Sequence, residues 1–90
     1  MIARTVVEER LAACANLLGS IQSIYQWKGQ ICEDEEVALI LKTSNDRKNE
    51  LVARIRELHV YETPCIVCMP ITDGNPDFLN RIDAQTRGPS

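Results

Sequence analysis

The sequence predicts one α+β domain built around a long antiparallel hairpin, and three observations predict it. Apolar residues at helical spacing open the chain. Two stretches of period-two alternation follow, joined by a glycine turn. Two later stretches carry helix start signals. Ninety residues suit a single domain, for which about 50 to 200 is the common range. With 44% hydrophobic and 26% charged residues the chain has enough apolar surface to fold, and no repeat or linker divides it.

The first helix is predicted over Ile2 to Ala15. Ile2, Val6, Val7, Leu11 and Cys14 fall on one side, while Arg4, Glu8, Glu9 and Arg10 face water. No capping residue precedes it, because Met1 stands where the preceding turn belongs. From Asn16 to Trp27 the period becomes two, with Ile21, Ser23, Tyr25 and Trp27 on one face and Gln22, Ile24 and Gln26 on the other. Gly19 interrupts this run and predicts a bend or bulge. Lys28-Gly29-Gln30 is the turn, and a second strand runs from about Cys32 to Thr43. Ser44-Asn45-Asp46 offers capping oxygens to a helix that extends to about His59, with Leu51, Val52, Ile55 and Leu58 as its stripe. Cys65 to Ile71 reads as a short apolar strand after Pro64. Asn75-Pro76-Asp77 starts a last helix, with Phe78, Leu79 and Ile82 as its apolar face.

The order helix, strand, strand, helix, strand, helix is the split β-α-β arrangement of ferredoxin-like folds, with helices on one sheet face, its first strand absent and a helix added. The second strand is apolar on both faces, with Val37, Leu39 and Leu41 against Ala38 and Ile40. Helices cover one such face only. The other is expected to meet a second copy of the chain.

Composition excludes several function classes. A net charge of −3 and 4% aromatic residues argue against nucleic acid, which needs a basic face and stacking side chains. No apolar run reaches the roughly 18 to 20 residues of a membrane span, and no signal peptide opens the chain. The expected location is therefore the cytoplasm, where Cys14, Cys32, Cys65 and Cys68 stay reduced. With one histidine and no nucleophile beside a base, the sequence supplies no catalytic apparatus and predicts no enzyme.

The run Val7-Glu8-Glu9-Arg10-Leu11-Ala12-Ala13-Cys14-Ala15-Asn16 resembles the first-helix signature of the CutA family, the divalent-cation tolerance proteins. Further matching blocks are Ser23-Ile24-Tyr25-Gln26-Trp27-Lys28-Gly29, Leu41-Lys42-Thr43, His59-Val60-Tyr61-Glu62-Thr63-Pro64, and Pro70-Ile71 with Gly74, all in the family's order. The resemblance implies a ferredoxin-like subunit in a tight homotrimer, similar to the PII signalling proteins, with a link to copper and other divalent cations and no established reaction. No cofactor is expected to be needed for folding. The sequence departs from the family at its start, where an apolar strand normally precedes the helix. A longer gene product beginning upstream is the expectation. It departs again at Arg81, where an aromatic residue is usual.

The resemblance makes Cys14 the candidate thiolate ligand for a metal and His59 the candidate imidazole, a pairing that suits copper or zinc. Each also has a structural reading, Cys14 as a small buried side chain and His59 as a helix C-cap. Tyr61 and Glu62 complete a His-x-Tyr-Glu motif that resembles a site near a cleft between subunits. Lys42 is the candidate contact for an anion, its stem lying along the face of Ala38 and Ile40. Trp27 is expected mainly at a subunit interface, with stacking on a ligand as the alternative. Cys65 and Cys68, three apart on a strand, would point to opposite faces and so pack in the core instead of chelating one ion. Glu33-Asp34-Glu35-Glu36 splits between faces in the same way and reads as a solvated run. The alternative function is a PII-like scaffold, or a small-ligand or partner-docking protein without a physiological metal.

Overall fold

The long hairpin sets the shape of the molecule. The computed structural model describes residues 2–59 and 66–87. Its elements are α1 (Ile2–Glu8), β1 (Cys14–Trp27), β2 (Gln30–Lys42), a 3-10 turn (Asn45–Arg47), α2 (Lys48–Leu58) and α3 (Pro76–Gln85). Strands β1 and β2 pair antiparallel from Cys14↔Lys42 to Trp27↔Gln30 and form the two-stranded sheet of the described residues. At 14 residues, β1 is roughly 45 Å long at ~3.3 Å per residue. That length accounts for the 47 Å long axis of the molecule. Lys28 and Gly29 both have positive φ, 51° and 78°, the two-residue turn whose twist matches that of paired strands. The register slips between Leu17 and Gly19, so Gly19, at φ 85°, lies at a bulge, as its position in the alternation predicts.

Helix α1 is shorter than predicted, ending at Glu8 instead of running to Ala15. The Leu11 amide donates to Val6 O at 2.9 Å and the Arg10 amide to Val7 O at 3.1 Å, the paired bonds of a Schellman C-cap. Arg10 occupies its left-handed position at φ 60°, which glycine usually fills. The apolar spacing beyond Glu8 is real, but Leu11 and Ala12 reach the core from a turn, and Cys14 opens β1 instead of closing the helix. Arg10→Gly relieves the left-handed penalty. It is expected to raise stability by about 1 kcal/mol in a urea titration.

The core joins Val6, Leu11, Ala12 and Leu51, with Val7, Leu41, Ile55 and Leu58 packed against them. It touches the hairpin only at its base. Two bonds tie that base to the α1–β1 turn: Ala13 N–H to Lys42 O at 2.7 Å, and Thr43 Oγ1 to Leu11 O at 2.6 Å. Arg54 of α2 grips Glu9 with two nitrogens, at 2.8 and 2.9 Å, and Glu57 with a third at 3.1 Å.

The start of α2 is a 3-10 turn, and the Ser44 side chain makes no capping bond there. Asn75 behaves as predicted: its side chain accepts from the Asp77 amide at 3.0 Å, with Pro76 first in α3. The predicted strand over Cys65 to Ile71 is not formed at residues 66–71. Among the described residues no strand lies beside this segment, so its amides and carbonyls have no ladder to join. Cys68 is exposed there and not packed in a core, while Cys65 lies outside the described residues.

Candidate functional site at the base of the hairpin

The base of the hairpin brings together two of the candidate residues, Cys14 and Lys42. Cys14 and Lys42 are directly paired, so their side chains leave the same face of the sheet. The Cys14 Sγ lies 3.8 Å from Asn16 Oδ1, on that face. Cys14 is a free, half-buried thiol and no longer a helix residue. The Lys42 ammonium stands 5.2 Å from the ring centroid of Phe78, in the first turn of α3, close enough for a cation–π contact. Sequence reasoning missed Phe78 and Asn16. Phe78 reads as one of a helix's apolar positions, and only the docking of α3 brings it to Lys42.

His59 is the C-cap of α2, in extended conformation, with its amide donating to Ile55 O at 2.9 Å. Tyr61 and Glu62 lie outside the described residues, so the neighbourhood of the His-x-Tyr-Glu motif is described at His59 alone. Among the described residues, no three His, Cys, Asp or Glu side chains converge on a point that would hold a metal ion. Thiol and imidazole are suitable donors for copper or zinc, but among the described residues their number falls short of the usual coordination.

Trp27 stands far from this cluster, at the other end of the hairpin beside the turn. It is 57% exposed, with the Lys28 ammonium 5.8 Å from its ring centroid. Tyr25 and Trp27 share a face, as the alternation predicts. On that face the Tyr25 hydroxyl donates to Asp34, and the Ser23 hydroxyl to Glu36 at 2.8 Å. The hydrogen bond to the Asp34 carboxylate, with further repulsion from neighbouring acids, pushes the Tyr25 pKa up to about 12. Folding therefore retains the phenolic proton, and this contribution to stability is present below the ordinary value of 10.0 and fades as pH rises toward about 12. In a Tyr61→Phe background, phenolate absorbance is expected to titrate near the upper value, and Asp34→Asn to bring it back down.

Similar proteins sharpen the picture. The family model for CutA1 divalent ion tolerance proteins matches residues 1–85. The divalent-cation tolerance protein CutA of Thermus thermophilus is 42% identical over 85 residues, covering 94% of this chain and 82% of that protein. Protein CutA of Mus musculus is 44% identical over 89 residues, 99% of this chain; the chain spans 50% of the mouse protein's length. Among solved structures, the Thermus thermophilus protein superposes with a TM-score of 0.92 at 42% identity, covering 96% of this chain and 84% of that one. The PII-like protein CutA of Nostoc sp. PCC 7120 superposes at 0.89 with 38% identity, with coverage of 96% and 84%. A CutA structure from Archaeoglobus fulgidus, described as periplasmic, matches at 0.91 and 37% identity over 96% of this chain and 83% of that one. The α+β, PII-like architecture expected from the sequence is therefore the one observed. With a family match across residues 1–85 and relatives above 40% identity, the chain belongs to the CutA1 divalent ion tolerance family.

Proposed function

We propose that the chain is a self-assembling binding protein, a homotrimer in the cytoplasm, that takes up copper or another divalent cation in the response to metal ions and carries out no catalysis. The hairpin carries this reading. Beyond its base, Ile21, Tyr25 and Trp27 on one face and Ile24, Ile31 and Val37 on the other are exposed. A two-stranded ribbon is marginal in water by itself, and one with apolar groups on both faces calls for cover. Further copies of the same hairpin supply cover of matching length and pattern.

In this reading Cys14 and His59 are the soft and borderline metal ligands, and the remaining donors come from outside the described part of one protomer. The names of the relatives, divalent-cation tolerance proteins, support the metal link. The Lys42–Phe78 contact beside Cys14 favours a second reading: a PII-like protein that binds a small anionic ligand through Lys42, with Tyr61 and Glu62 on the same ligand and Trp27 within the interface.

Native mass spectrometry of the purified chain, with and without Cu(I) and Zn²⁺, tests both. The metal reading expects a trimer with a fixed number of ions per subunit, lost on Cys14→Ser or His59→Ala. A trimer without ions, but retaining a small anion that Lys42→Ala releases, supports the second reading. A monomer that takes up nothing overturns both.

A further inference from the structure

We infer that α3 is a latch, closed onto the body of the domain at two points, and that its opening uncovers the Lys42 ammonium. Among the described residues α3 packs closely along no other helix or strand. Its deeply buried apolar residue, Ile82, lies outside the cluster around Val6 and Leu51, and the neighbouring Arg81 is exposed. Among the described residues the helix is therefore held by Ile82 and by contacts near its two ends, outside the cluster around Val6 and Leu51.

The first closure is at its C-cap. Thr86 is only 2% exposed, a rare depth for a hydroxyl side chain. Its carbonyl accepts from Arg47 Nε at 2.7 Å, and its hydroxyl donates to Ile82 O at 2.7 Å and meets Ser44 Oγ at 3.0 Å. Arg47 is braced in turn by Glu50 at 2.9 Å. The second closure is near the helix start, where the Phe78 ring lies under Lys42 Nζ. Beside the first closure runs a polar groove of about 490 Å³, lined by Ser44, Arg47, Glu50, Asp83 and Thr86 among others.

Polar closures of this kind contribute less than apolar burial and open at lower free energy than a packed core. When the Thr86 end lets go, Arg47 and Ser44 exchange their protein partners for solvent, which the adjoining groove admits. Phe78 then leaves Lys42, whose ammonium becomes available to solvent. This holds whatever Lys42 binds, so it stands apart from the ligand readings above.

Hydrogen exchange of the full chain, read by mass spectrometry, tests the latch. The α3 amides are expected to exchange ahead of those of α2. Thr86→Val, which keeps the shape and removes the hydroxyl, is expected to cut α3 protection about tenfold while leaving α2 unchanged. Thr86→Ser is expected to restore it. In parallel, acetylation of Lys42 by acetic anhydride should rise several-fold in Thr86→Val relative to Lys48, an exposed lysine on α2. Exchange of α3 and α2 together in the unmodified chain, or equal loss from both in Thr86→Val, overturns the latch. So does unchanged Lys42 acetylation once α3 protection has fallen.

Discussion

Leu51→Ala is expected to remove about 2–5 kcal/mol of stability, read as a shift of the urea midpoint at unchanged slope. Leu51 is 5% exposed and is the one residue of α2 fully enclosed in the core. It closes the cluster against Val6, Leu11 and Ala12, which come from α1 and the turn after it. A core of so few side chains has little spare packing with which to fill a cavity. Single domains are typically stable by only about 5–15 kcal/mol, so the lower part of that range brings this chain close to unfolding. Ile55 and Leu58, only half-buried, should cost visibly less when truncated. A loss below about 1 kcal/mol at Leu51 would mean that the α1–α2 contact does not hold the domain together.

In the trimer proposed above, Trp27→Ala is expected to shift assembly toward monomer, with dissociation at least about 30-fold easier, as for an interface residue worth some 2 kcal/mol or more. Within the protomer Trp27 touches little, standing 57% exposed at the hairpin turn, so its removal should leave the far-ultraviolet circular dichroism of the monomer unchanged. Only assembly should respond. Native mass spectra at several concentrations read this directly. Unaltered assembly would place the interface on the base of the hairpin and not on its tip.

Much of the fold is legible in the sequence because short-range rules settle it. Period-two alternation assigns Tyr25 and Trp27 to one face and Ile24 to the other. Lys28-Gly29-Gln30 marks the turn, which the structure tightens to Lys28 and Gly29 with Gln30 already paired to Trp27, and Asn75-Pro76-Asp77 carries its own cap. The end of α1 is not legible in this way. Its stop signal is a left-handed arginine at residue 10, where the recognisable residue is glycine, and the apolar spacing continues past it. Ser44 illustrates the same limit: its sequence context predicts a helix cap, but its hydroxyl meets Thr86, 42 residues away.

By itself, then, the sequence determined the α+β class, the long hairpin, and the family to which the chain belongs. Each is carried by patterns a few residues long or by ordered motif blocks. Only the tertiary structure decided that Cys14 begins a strand beside Lys42, that Phe78 lies under that lysine, and that residues 66–71 stay unpaired. These outcomes depend on which segments meet. A strand forms only where a neighbour offers a complementary row of amides and carbonyls, and a ring reaches a cation only after two distant elements have docked.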